Sequence, residues 1–134
     1  MRELVYHELS EEEKSRILRA IAERLARESN IVFAYVHGGF VRRRFFRDVD
    51  VAVWLKGPSD PLRYVLNLSA ELEVKVGLPV DVQVLGFKYR VMTEGKLLFS
   101  RDEKLRKELV NAIVREYLYF QYFSSLHSLR SSQD

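Results

Sequence analysis

The sequence predicts an α+β domain, layered in the α/β manner, in which a mixed sheet of about three to four strands carries helices packed against it. Three observations predict it. Helix-like and strand-like segments follow one another along the chain, the strand-like segments are short and rich in valine, and the helix-like ones carry start and stop signals. The length of 134 residues suits a single domain spanning residues 1–134.

The first helix is announced by Ser10-Glu11-Glu12-Glu13, a capping box with Ser10 as N-cap and Glu13 three residues on. Ile17, Leu18, Ile21 and Leu25 recur at helical spacing, so a helix is expected over about residues 10–28. Ile31-Val32-Phe33-Ala34-Tyr35-Val36 is a continuous apolar run, expected as a strand buried on both faces and broken by His37-Gly38-Gly39. Residues 48–55 read as the next strand. Val49, Val51, Val53 and Leu55 share one face, and Asp48 and Asp50 share the other. Asp60-Pro61 starts a second long helix with an apolar stripe of Leu62, Val65, Leu66, Leu72 and Val76, ended by Gly77. Val80-Asp81-Val82-Gln83-Val84-Leu85 alternates as a third strand, and Lys96-Leu97-Leu98-Phe99 is a short candidate fourth. A long C-terminal helix is expected over about residues 102–129, with Leu105, Leu109, Ile113, Tyr117 and Phe120 facing the core and the end fraying from Ser124.

Composition narrows the function. Cysteine is absent, which excludes disulfides, thiolate zinc sites and thiol chemistry. No apolar run approaches the roughly 20 residues that span a bilayer. Met1-Arg2-Glu3-Leu4 lacks the apolar core of a secretory signal, so the cytoplasm is the expected location. Abundant charge with few Cys, Met, Asn and Gln is like that of thermophile proteins. A net charge of +3 is small, and direct nucleic-acid binding is not expected from it.

Chemistry concentrates in the aspartates. Of six in the chain, one is the last residue and Asp60 and Asp102 sit at helix caps. Asp48, Asp50 and Asp81 lie instead in valine-rich strands, where aspartate is disfavoured. Crowding carboxylates is costly unless a cation compensates. Residues i and i+2 on a strand can share one ion, and hard cations such as Mg²⁺ take carboxylate together with phosphate oxygens. A third carboxylate from a neighbouring strand suits a two-metal site for in-line displacement. Gly38-Gly39 either lets a phosphate approach the backbone or is a plain tight turn. Arg42, Arg43, Arg44 and Arg47 either line a polyphosphate or form a solvated loop. His37 is expected to be a satisfied structural histidine outside the site.

The stretch Val36-His37-Gly38-Gly39-Phe40-Val41-Arg42, followed by Arg47-Asp48-Val49-Asp50-Val51-Ala52-Val53, resembles the signature of minimal nucleotidyltransferases of the polymerase-β-like superfamily. There a Gly-Ser turn opens a short helix, an Asp-x-Asp strand follows, and a later strand brings a third aspartate. The resemblance spans about residues 31–85 and implies that Asp48, Asp50 and Asp81 are catalytic and metal-binding, with Gly38, Gly39, Arg42 and Arg47 toward the nucleotide. The family serine is Gly39 here, and the connection from turn to Asp-x-Asp is shorter than usual.

What the resemblance implies for function is Mg²⁺- or Mn²⁺-dependent transfer of AMP from ATP to a protein hydroxyl. The implied partner is a small all-helical HEPN-type RNase toxin, with this chain as its antitoxin. The alternative is a module that binds nucleotide or neutralises the partner without turnover. A single domain is expected, and with it a protein acceptor held by its own interface. Tyr117, Tyr119, Phe120, Tyr122 and Phe123 are too crowded for one helical face. They are expected to form either a docking surface, for the partner or for a homo-oligomer, or a helix buried in its own groove.

Overall fold

The computed structural model describes residues 5–86 and 88–133, with side chains as far as His127. Met1-Arg2-Glu3-Leu4 and Asp134 therefore lie outside the described residues. The elements in order are β1 (His7–Glu8), α1 (Glu11–Ala26), β2 (Ile31–His37), α2 (Gly39–Arg42), β3 (Phe45–Phe46) and β4 (Val49–Leu55). There follow α3 (Pro61–Val76), β5 (Val80–Val84), α4 (Tyr89–Glu94), β6 (Lys96–Ser100) and α5 (Glu103–Gln133).

Four strands form one mixed sheet in the order β5-β4-β2-β6. β2 is antiparallel to both β4 and β6, whereas β5 runs parallel to β4 because α3 carries the chain back across the sheet. The small antiparallel pair β1-β3 stands apart, and neither strand was expected from the sequence. The expected start and stop signals are present. The Ser10 hydroxyl accepts from the Glu13 amide as Glu13 reaches back, and Gly77 closes α3 at φ 72°.

The sheet has two covered faces. On one, Ile21 and Leu25 of α1 and Val65, Leu68 and Leu72 of α3 pack against Val36, Val49, Val51, Val53, Val80 and Val82. On the other, Val91 and Met92 of α4 and Ile113 of α5 meet Phe33, Tyr35 and Ala52. Two expected stripes need correction. Leu62 and Leu66 are exposed, and Leu68 is buried in their place, since Leu66 follows Val65 by one residue and is turned about 100° from it. On α5, Leu105, Leu109 and Ile113 face the core, but Tyr117 is only partly covered, by a stack on Tyr89 with ring centres 3.9 Å apart. Phe120, expected in the core, is 70% exposed. From Leu118 to His127 every residue of the helix is exposed. Nor does α5 fray from Ser124, for it continues to Gln133 with no glycine or proline to stop it.

Arg101, just past β6, ties the far corner together. Its Nε donates to the Ile31 carbonyl at 2.8 Å, and its Nη2 to the carbonyls of Glu28, at 3.0 Å, and of Ala26. The Ala26 carbonyl belongs to the last turn of α1, which has no partner of its own in the helix. Among the described residues no helix is long and apolar enough to cross a membrane.

Candidate functional site

Alternation places the carboxylates. Because Val49, Val51 and Val53 point into the α1/α3 layer, Asp50 points to the opposite face, and Val80 and Val82 do the same for Asp81. The parallel register then sets Asp50 directly beside Asp81. Gln83, two residues on and on the same face, donates its amide to Asp81 Oδ2 at 2.8 Å and to Asp50 Oδ1 at 3.4 Å. Asp48 immediately precedes β4. Burial first, then the charges of Asp48 and Asp81, pushes the Asp50 carboxyl up to about 6, with Arg47 partly offsetting them.

At Asp50 the charges of two neighbouring carboxylates thus add to the cost of burial. Among the described residues, no three His, Asp or Glu are drawn together as a ready-made metal cage. The Gln83 amide bridges Asp50 and Asp81 instead. Hard oxygen donors with surplus negative charge are nonetheless what a divalent cation requires, and these residues fit one.

The turn after β2 completes the wall. His37 pairs in register with Asp50, and Gly38 follows at φ 79°, a conformation costly for any residue with a Cβ. A Cβ on Gly38 would also stand 2.5 Å from Asp50 Oδ2. Gly38→Ala should therefore displace the Asp50 carboxylate and strain the turn, at about 1–3 kcal/mol of stability. Thermal melts and nucleotide titration measure both effects, and a variant with unaltered melting and binding would mean the turn has slack. Gly39 differs: an added Cβ there would make only ordinary contacts, the nearest at 3.8 Å from Phe46. Lys14 pins the loop from below. It is buried beneath the rings of Phe40 and Phe46, and its Nζ donates to the carbonyls of Phe40 and Arg43, each at 2.9 Å.

The arginines separate. Arg42 lines a cavity of about 170 Å³ with His37, Gly38, Arg90 and Val91, and it pairs with Glu94. The field of Arg47 reaches Asp50. Arg44 instead turns away to Glu8 at 2.6 Å. His37 is not the satisfied structural histidine the sequence suggests. Its Nε2 is buried and, among the described residues, has no hydrogen-bond partner. Burial holds its pKa down, the charges of Lys88 and Arg42 act with it, and Asp81 opposes them.

The family described as polymerase beta nucleotidyltransferase matches residues 19–104, a span holding Gly38, Asp48, Asp50 and Asp81. The chain belongs to this nucleotidyltransferase family. Solved structures share the fold. A tri-AMPylated Shewanella oneidensis HEPN toxin in complex with MNT antitoxin matches at 15% identity and TM-score 0.60, over 87% of this chain and 99% of that one. A toxin-antitoxin complex with AMP-PNP matches at 17% identity and TM-score 0.59, over 94% of this chain and all of the other (100%). The toxin-antitoxin MntA-HepT matches at 15% and 0.58, over 93% of this chain and 100% of that one. No curated protein matches by sequence.

Within the nucleotidyltransferase domain, sequence reasoning missed Lys14, Gln83 and Arg90. Lys14 could have been noticed as a cation interrupting the stripe that runs on to Ile21 and Leu25. Gln83 shares the face of Asp81 by simple alternation. Arg90 carried no signal, since α4 itself was not foreseen.

Proposed function

We propose that this nucleotidyltransferase moves AMP from ATP to a hydroxyl on a small helical HEPN-type partner, with Mg²⁺ or Mn²⁺, and acts as that partner's antitoxin. One observation carries the reading: Asp50 and Asp81 stand abreast on parallel strands, with Asp48 beside them and Gly38 pressed against Asp50. The likeness to an MNT antitoxin bound to its AMPylated toxin supports the choice of acceptor and partner.

Asp48 and Asp50 would hold a cation against the triphosphate, and Asp81 would face the acceptor. When bound, the ion supplies neutralisation of charge on the phosphates. The acceptor oxygen forms the new bond to the α-phosphorus, the bond from that phosphorus to the bridging oxygen breaks, and pyrophosphate leaves. Asp81, the exposed member of the three, takes the hydroxyl proton. Asp81→Asn should therefore keep ATP affinity within a few-fold and lose transfer by about 100-fold or more, the usual range for a general base. Wild-type rates in that variant would reduce Asp81 to a strand residue.

A second reading keeps the complex and drops the chemistry, and Gly39 favours it, standing where the family has a serine hydroxyl. The deciding experiment mixes the chain with ATP, Mg²⁺ and the product of its neighbouring gene. A partner heavier by AMP units supports transfer. A partner neutralised at unchanged mass selects binding alone.

A further inference from the structure

The cavity beside the carboxylates has a polarity opposite to theirs. It holds about 170 Å³, several times the roughly 30 Å³ share of one water. Its lining is His37, Gly38, Arg42, Arg90 and Val91, with no carboxylate among them. Two arginines and His37 thus border one space. Gly38 links the two regions, since the residue that lines the cavity also abuts Asp50. A ligand gripped at the carboxylates can run across that glycine into the cationic space.

Helix α4 controls both arginines. Arg90 and Glu94 are four residues apart and share one side of it. Arg90 enters the cavity lining, while Glu94 pairs with Arg42 on α2. Both partners of that ion pair are about half exposed, so the pair is weak and easily exchanged. A chain of phosphates offers several anionic oxygens to two forked donors and would outcompete a single carboxylate.

We infer that α4 supplies half of a polyphosphate receptor: Arg90 binds the phosphate chain beside Arg42, and Glu94 holds Arg42 until that chain arrives. This rests on the proposed nucleotidyl transfer and names the residues that grip the leaving end of the nucleotide.

The test is calorimetric titration of the whole chain with tripolyphosphate and, separately, with adenosine, in Mg²⁺. Arg90→Ala should weaken tripolyphosphate about tenfold or more, the size of a lost charged hydrogen bond, and leave adenosine unchanged. Arg90→Lys should recover part of the loss. Glu94→Gln should strengthen tripolyphosphate roughly two- to fivefold by freeing Arg42. Arg63→Ala, at the start of α3, should change nothing, and thermal melts confirm that each variant is folded. Wild-type protein that binds no tripolyphosphate overturns the receptor, as does Arg90→Ala that binds like Arg63→Ala. So does Glu94→Gln with unchanged or weaker affinity. The two readings fail separately. A chain that shows these shifts but never labels its partner loses the transfer reaction and keeps the receptor. A chain that transfers AMP with Arg90 dispensable keeps the reaction and loses the receptor.

Discussion

Asp48→Asn and Asp50→Asn should each weaken Mg²⁺-dependent ATP binding by about a hundredfold or more, with the fold intact. Even the groups that merely support metal ligands cost about 10- to 100-fold when removed, and these two are assigned as the ligands themselves. The fold should survive for a reason visible at Asp50. Its carboxyl is held up to about 6, above the roughly 3.9 of an unfolded chain. A carboxyl raised in the native state contributes stability that is complete below the unfolded value and is lost as pH rises through the native one. At pH 7 the ionised Asp50 therefore works against the fold, and Asn removes that burden. The Asp50→Asn melt should hold or rise at pH 7 without metal. ATP titration and thermal melts check both statements. Full nucleotide affinity in both variants would remove the metal assignment, and a collapsed melt would make Asp50 structural.

The second large effect belongs to α5. Tyr119 and Tyr122 are 67% and 62% exposed, and each leans on Phe123 rather than on the domain. Replacing both by Ala should leave stability within about 0.5 kcal/mol, as exposed substitutions do. Binding of the proposed HEPN-type partner should fall by about 2 kcal/mol or more, the scale of an aromatic anchor at an interface centre. A titration against the neighbouring gene's product and a melt of the free chain separate the two. A large drop in melting temperature would place the tyrosines in the domain's own core, and undiminished binding would place the partner elsewhere.

What could be read from the sequence was what local chemistry decides. Ser10 and Glu13 mark a helix start, Gly77 a left-handed end, and the Ile31–His37 run a strand buried on both faces, because each signal acts over a few residues. Asp48, Asp50 and Asp81 stood out because aspartate is out of place in valine strands. Their adjacency was a matter of register, which the α3 crossover sets and no local pattern reports. The two-residue strands β1 and β3 are too short to show a period. Helix α4 has six residues, and what fixes it is Val91 and Met92 packing on the sheet. Phe120 was misplaced because helical spacing tells which residues share a face, not where the surface beneath that face ends.

Arg101 carries a consequence of another kind. Its guanidinium joins the end of β6 to carbonyls 70 to 75 positions earlier in the chain. Loop entropy over that span must be met before the contact returns anything. The clamp should therefore form after the folding barrier, once β2 and β6 have paired across the same span. Losing such a contact speeds unfolding much more than it slows folding. Arg101→Ala should thus shorten the life of the native state much more than it delays its formation, and unfolding and refolding rates measured side by side check this.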